Sequence, residues 1–307
     1  MSLIKVEDIA HVRFQVPDLD RLDAFLRDFG LRPIEAGGPV RYYRGLGPSP
    51  FLYAAQAGEA AFLALGLRAA GDADLARLAG AEGATVESLD APGGGRVVRL
   101  TDPDGFTVEV VAGQAEAPAA APPRRPAWNS AFGHPRQGAV KRVGQGPAAV
   151  IRLGHAVLNV TDFRASERWY KDRFGFITSD EVAVSPQFIL GAFMRCDRGD
   201  TPTDHHTLFL AQGPKAKFNH AAFEVADFED LMVGHQHLLA AGHMAEWGVG
   251  RHILGSQVFD YWRDPWGHAL EHWTDGDLLT AASGSNVTSI ADLLGVQWGP
   301  PAPPTMA

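Results

Sequence analysis

Two histidines and one glutamate in the second half of the chain have the types and placement to hold a single metal ion. His155 and His220 head the apolar stretches "HAVLNV" (155–160) and "HAAFEV" (220–225), and each lies seven residues before an aspartate, Asp162 or Asp227, that opens a helical pattern. Glu271 lies seven residues after Asp264, in "DPWGHALE" at 264–271. A lone histidine in a strand is most often a packed core residue. Two that occupy equivalent places in a repeat, joined by a carboxylate behind an Asp-Pro-x-Gly turn, point to coordination. Two imidazoles and one carboxylate on rigid strands suit non-haem Fe(II), with Mn(II) as the alternative, and leave adjacent positions open; zinc favours a four-coordinate site with a single open position.

The elements that must position these residues come in repeats. "HVRFQVPDLD" (11–20) matches "HAVLNVTDFR" (155–164), and both run into helical patterns that close on "DFGL" (28–31) and "RFGF" (173–176). Near the end of each half, "DPDGFTVEV" (102–110) matches "DPWGHALEH" (264–272). His11, His155 and His220 each start a unit that reads strand, Asp-capped helix, further strands. The fourth unit starts at "EAAFLAL" (59–65), where aligning Ala60-Ala61-Phe62 with Ala221-Ala222-Phe223 puts Glu59 in the place of His220. The expected fold is α+β, four βαβββ units paired into two domains whose sheets curl around a cleft. The boundaries expected are 1–113 for the first pair, 114–149 for an Ala/Pro/Gly-rich linker, 150–280 for the second pair, and 281–307 for a tail with little to bury, in which Trp298 could fold back as a lid. His11, Glu59 and Glu109 would be the first half's counterparts of the metal set, with Arg99 in the place of Tyr261.

Bulk properties agree with this organisation. A chain of 307 residues, 46% hydrophobic, can bury the cores of two ordinary domains. A net charge of −9 and a pI near 5.7 give no footprint for nucleic acid or an anionic membrane. The single cysteine, Cys196, excludes a disulfide framework and a cysteine metal cluster. With no apolar run long enough for a signal peptide or a membrane span, a cytoplasmic location is expected.

The stretch "GRHILGSQVFDYWRDPWGHALE" (250–271) resembles the signature of type I extradiol ring-cleaving dioxygenases of the vicinal oxygen chelate superfamily, in which Gly-x-His is followed by a tyrosine, an Asp-Pro-x-Gly turn and a ligand glutamate. Asp260 departs from that signature by standing where an apolar residue normally precedes the tyrosine. The resemblance covers nearly the whole chain and implies an Fe(II) enzyme that opens a catechol-type aromatic diol with O2, the ligands being His155, His220 and Glu271. It also implies a metal-free first domain and assembly into a homo-oligomer. An acid/base histidine is implied in "DHHTLFL" (204–210). Strand alternation lets only one of His205 and His206 face the cleft; the family spacing matches His205, and a shift of one residue would exchange them. Tyr261 is implied as the hydrogen-bond partner of the substrate oxygen, and His252 as a neighbour of the substrate and oxygen pocket. Candidate pocket residues are His206, Phe193 and Trp273, with Phe188, Met194 and Trp247 also available. Arg251 is expected to point away, so no clamp for a substrate carboxylate stands out and an uncharged, hydrophobic catechol is favoured. His235, His237 and His243 are read as solvated. A metal-dependent isomerase or lyase on the same scaffold, or a non-catalytic binder of aromatic ligands, are the competing functions.

Overall fold

The computed structural model describes residues 2–123 and 125–305. The four βαβββ units are present. In the first half, strands Val6–Val16 and Ala61–Ala69 pair antiparallel at the centre of an eight-stranded sheet, flanked in parallel by Tyr53–Ala57 and Thr107–Ala112. The second half repeats the plan: Val150–Val160 pairs antiparallel with Lys217–Val225, flanked in parallel by Leu208–Gln212 and Ala269–Thr274, within a ten-stranded sheet. Aspartate caps start the helices that begin at Leu19, Phe163 and Phe228, each accepting backbone N–H bonds through its side chain.

The helix of the second unit, Asp72–Glu82, departs from this pattern, with Gly71 at its N-cap and no side-chain cap. The sequence around it carries the weakest repeat, and the structure corrects the alignment there. Gly66 pairs with both His11 and Glu109, as Ala222 pairs with both His155 and Glu271. A bulge also falls at matching places, between Arg13 and Phe14 in one sheet and between Phe218 and His220 in the other. Ala64 is therefore the counterpart of His220. The Ala-Ala-Phe match slipped the register by five residues, and Glu59 lies exposed in the turn before its strand. Among the described residues, His155, His220 and Glu271 are the one group placed to share a metal ion.

The segment between Gly113 and Ala149 has no helix or named strand among its described residues, yet it is pinned at both ends. Ala115, Ala117 and Ala120 bond to the first half's backbone. Arg125 and the backbone of Ala149 share the carboxylate of Asp230 on the helix Phe228–Ala240. The two halves share one continuous apolar core containing Phe14, Phe29, Leu158 and Phe223. His237 and His243, expected to be solvated, both bond Asp28 of the first half at 2.9 and 2.8 Å, and His272 stacks on Phe29 while bonding its carbonyl.

The tail also departs from expectation. Asn286–Ser289 adds to one edge of the ten-stranded sheet and Val296–Trp298 to the other, with a short helix, Ile290–Leu294, between them. From Ser289 to Val296 a chain can span at most about 25 Å. The edges of ten strands laid flat would lie about 43 Å apart. The sheet must therefore curl until its ends nearly face each other, and the hollow so formed holds the site.

Candidate metal centre

Four adjacent strands set one row of side chains on the concave face. His155 is opposite Ala222, Ala222 opposite Glu271, and Glu271 opposite Tyr261. His220, two residues before Ala222 on its strand, presents on the same face. The small Ala222 leaves room for its neighbours to converge: Glu271 Oε2 lies 3.2 Å from His155 Nε2 and 3.4 Å from His220 Nε2. The His220 Nδ1–H donates to Asn219 Oδ1 at 2.9 Å, and Asn219 donates to Asn159, so the Nε2 lone pair of His220 faces Glu271.

Glu271 is wholly buried, and neither carboxylate oxygen has a hydrogen-bond partner among the described residues. Burial raises its pKa, but the two imidazoles more than offset this and hold the carboxyl below its usual range. Burial pushes His220 down, against the opposing pull of Glu271, so the imidazole is neutral and free to ligate. A buried carboxylate with unbonded oxygens beside two imidazole nitrogens is a ready seat for a cation. The donor set thus fits a divalent metal.

His155 and His220 of this triad line a cavity of about 590 Å³, in the range of pockets that enclose a drug-sized ligand. His252 Nε2 and the Tyr261 hydroxyl, 3.0 Å apart, also belong to its lining. Burial lowers His252 to about 4 and, with the charge of Glu271, raises Tyr261 well above its normal value, so both are neutral near pH 7. Phe193, Phe209, Leu190 and Trp247 line apolar wall.

Several expected site residues lie elsewhere. His206 lines the cavity and His205 does not. The two occupy a bend between Thr203–Asp204 and Leu208–Gln212, outside any strand, so strand alternation does not decide between them. The His206 ring lies 4.0 Å from that of His155. Trp273 is core: its ring fills the space above Gly154, where a Cβ would approach to 2.5 Å, and the Arg152 guanidinium lies 5.2 Å from the ring centroid. Phe188 is 41% exposed and Met194 is fully buried, and neither reaches the cavity. Arg251 bonds Asp275 and the Ser256 carbonyl, away from the pocket. Asp260 is buried and satisfied by His235 and by the Trp262 indole, so His235 is not simply solvated; the bulk of this trio fills the far face of the sheet.

The sequence reading missed the tail's share of the wall. Ile290, Leu293 and Leu294 line the cavity from the short helix, whereas Trp298 is paired at the sheet edge and 43% exposed. Their spacing of three and four residues behind the Ser289–Asp292 capping box was a legible amphipathic turn.

Residues 152–272 match the model of the Glyoxalase/Bleomycin resistance protein/Dioxygenase superfamily. Metapyrocatechase 2 of Cupriavidus necator is 31% identical over 301 residues, covering 97% of this chain and 90% of the relative. Two solved structures share the fold. One is an Mn(II)-bound glyoxalase from Novosphingobium aromaticivorans, with TM-score 0.80, 24% identity, and 99% and 95% of the two chains covered. The other is homoprotocatechuate 2,3-dioxygenase from Brevibacterium fuscum in complex with 3,4-dihydroxyphenylacetate, with TM-score 0.80, 19% identity, and 99% and 92% covered. The described residues contain no helix long and apolar enough to cross a membrane. With its repeat architecture, its His-His-Glu centre and a full-length relative at this identity, the chain belongs to the extradiol dioxygenase family of the Glyoxalase/Bleomycin resistance protein/Dioxygenase superfamily.

Proposed function

We propose that this protein opens the ring of an apolar, substituted catechol with dioxygen, using Fe(II) held by His155, His220 and Glu271. The observation that carries this is the buried, unbonded carboxylate of Glu271 between two imidazole nitrogens, whose rings line a cavity with aromatic walls. When bound there, the metal supplies a Lewis-acid centre that accepts both diol oxygens and couples the ring to dioxygen.

The chain's own residues do the rest. Neutral Tyr261 donates to or accepts from a diol oxygen beside the triad, and His252, within hydrogen-bond distance of its hydroxyl, sets the orientation of that group. His206, which lines the cavity beside His155, takes a proton from the diol and returns it later. Burial and the surrounding histidines push its pKa well below the usual value, so its ring is neutral and able to accept. The apolar walls and the tail helix exclude water and favour a substrate larger than catechol itself.

The test is anaerobic loading with Fe(II) or Mn(II), followed by oxygen uptake and appearance of a yellow ring-opened product across a series of substituted catechols. Stoichiometric oxygen consumption with the iron-loaded protein is expected, at higher rates for apolar substituents. Metal binding without oxygen uptake on any catechol would overturn the assignment. Faster turnover with manganese would reassign the metal alone.

A further inference from the structure

Behind His206, away from the cavity, lies a second histidine that the proposed reaction does not use directly. His205 Nδ1 is 3.2 Å from His206 Nδ1, and His205 Nε2 is 2.6 Å from Asp180 Oδ2. We infer that Asp180 and His205 are positioning residues that fix the tautomer of His206 and so make it a base toward the cavity, an inference that rests on the acid/base role proposed above.

The logic is one of donors and acceptors. A carboxylate only accepts, so the Nε2 of His205 carries the proton shared with Asp180. In a neutral ring the Nδ1 of His205 is then a lone pair. It faces His206 Nδ1, which must therefore carry the N–H that joins them. His206 is left with its lone pair on Nε2, the nitrogen with no partner among the described residues, and its ring lines the cavity. Once His206 accepts a proton at Nε2, the Nδ1–H bond to His205 becomes charge-assisted and stronger.

The surroundings hold this geometry. The Ser179 hydroxyl donates to the His205 carbonyl at 2.5 Å, and Arg195 donates to the same hydroxyl at 2.8 Å. The His205 N–H donates to the Asp277 carbonyl. Gly255, at φ +76°, lies against the His205 ring, where a Cβ would sit 3.0 Å from Nδ1. Phe193 touches both imidazoles. Asp180 pairs with Asn286 of the tail, so the tail also shields this arrangement from solvent.

Near-isosteric substitutions test it on the iron-loaded full chain, with 3-methylcatechol as probe. Asp180→Asn can donate to His205 Nε2, which reverses both tautomers and leaves His206 with an N–H toward the cavity. Its kcat is expected to fall roughly a hundredfold, the scale of a lost base, with KM within about twofold and iron content unchanged. His205→Leu, which removes the acceptor, should fall equally. His205→Asn, whose Oδ1 can stand near the lost Nδ1 and accept from His206, should recover to within about fivefold of the native rate. Equal losses in His205→Asn and His205→Leu, or losses that track KM and melting temperature, would reduce the pair to a packing role and overturn the inference. If His206→Ala is slow while Asp180→Asn keeps the native kcat, the pair is overturned and the acid/base assignment stands. If His206→Ala keeps the native rate, both fall.

Discussion

In the N-terminal sheet the central row reads His11, Gly66, Glu109 and Arg99; in the C-terminal sheet it reads His155, Ala222, Glu271 and Tyr261. Both rows bury a carboxylate beside a histidine, and a buried carboxylate must find positive charge or hydrogen bonds. In the first half both come from the chain itself. Arg13 Nε lies 2.6 Å from one oxygen of Glu109 and Arg99 Nε 2.9 Å from the other, while His11 Nε2 donates at 2.7 Å. Burial raises the Glu109 pKa, but His11 and Arg13 more than offset it and keep the carboxyl ionised; burial keeps His11 itself neutral. In the second half the counterparts of the two arginines are Val157 and Tyr261, and Ala64 gives way to His220. The carboxylate is left with two imidazole nitrogens facing it and no fixed cation. The same fold thus neutralises one buried acid with tethered guanidinium groups and reserves the other for a dissociable ion.

The comparison breaks most sharply if His220→Ala, which gives the second half the alanine of the first, still binds iron. Loss of metal and of all measurable turnover is expected, and metal analysis of the purified variant checks it. His206→Ala leaves the triad intact and should keep stoichiometric iron while slowing turnover by roughly 10²- to 10⁴-fold; a comparable loss in the metal content itself would assign His206 to the ion rather than to the proton.

Smaller effects sharpen the first half's side. Arg13→Ala removes one partner of buried Glu109 and should cost about 1–3 kcal/mol in chemical denaturation with kcat unaffected. The pH dependence has a definite sign. Glu109 has a depressed folded pKa, so its contribution is complete above the unfolded carboxylate range near pH 4.3 and is lost as pH falls toward the lower folded value. Native and variant stabilities should therefore converge in acid, and parallel curves down to pH 2 would contradict the ion-pair account. The smallest effect expected is for Leu293→Ala in the tail. Losing roughly 1 kcal/mol of apolar contact should raise KM about fivefold for a bulky catechol and barely change it for catechol itself. An equal rise for both would place the side chain outside the substituent's pocket.

How far the sequence carried depended on where each residue's position was decided. Strand periodicity and repeated caps set His155, His220 and Glu271, because a strand fixes the facing of every second residue. Glu59 failed because a three-residue apolar match, Ala-Ala-Phe, has no register of its own; the bulge before Ala64 and the pairing of Gly66 decide it, and both are tertiary. The preference for His205 over His206 as the cavity-facing ring went astray for a related reason. Alternation was assumed across a bend, where backbone turns choose the facing. Asp180 lies 25 residues from its histidine and had no motif to announce it, and Trp273 reads as a pocket aromatic until the space above Gly154 is seen to need it.

The tail strands at 286–289 and 296–298 are the two outermost of the ten strands, like a hem sewn along two margins of one cloth. Unpaired margins are where sheets from separate molecules join and precipitate. Cutting the chain before Asn286 would expose two such margins together, so shortened forms should be lost to insolubility before any change in their chemistry could be measured.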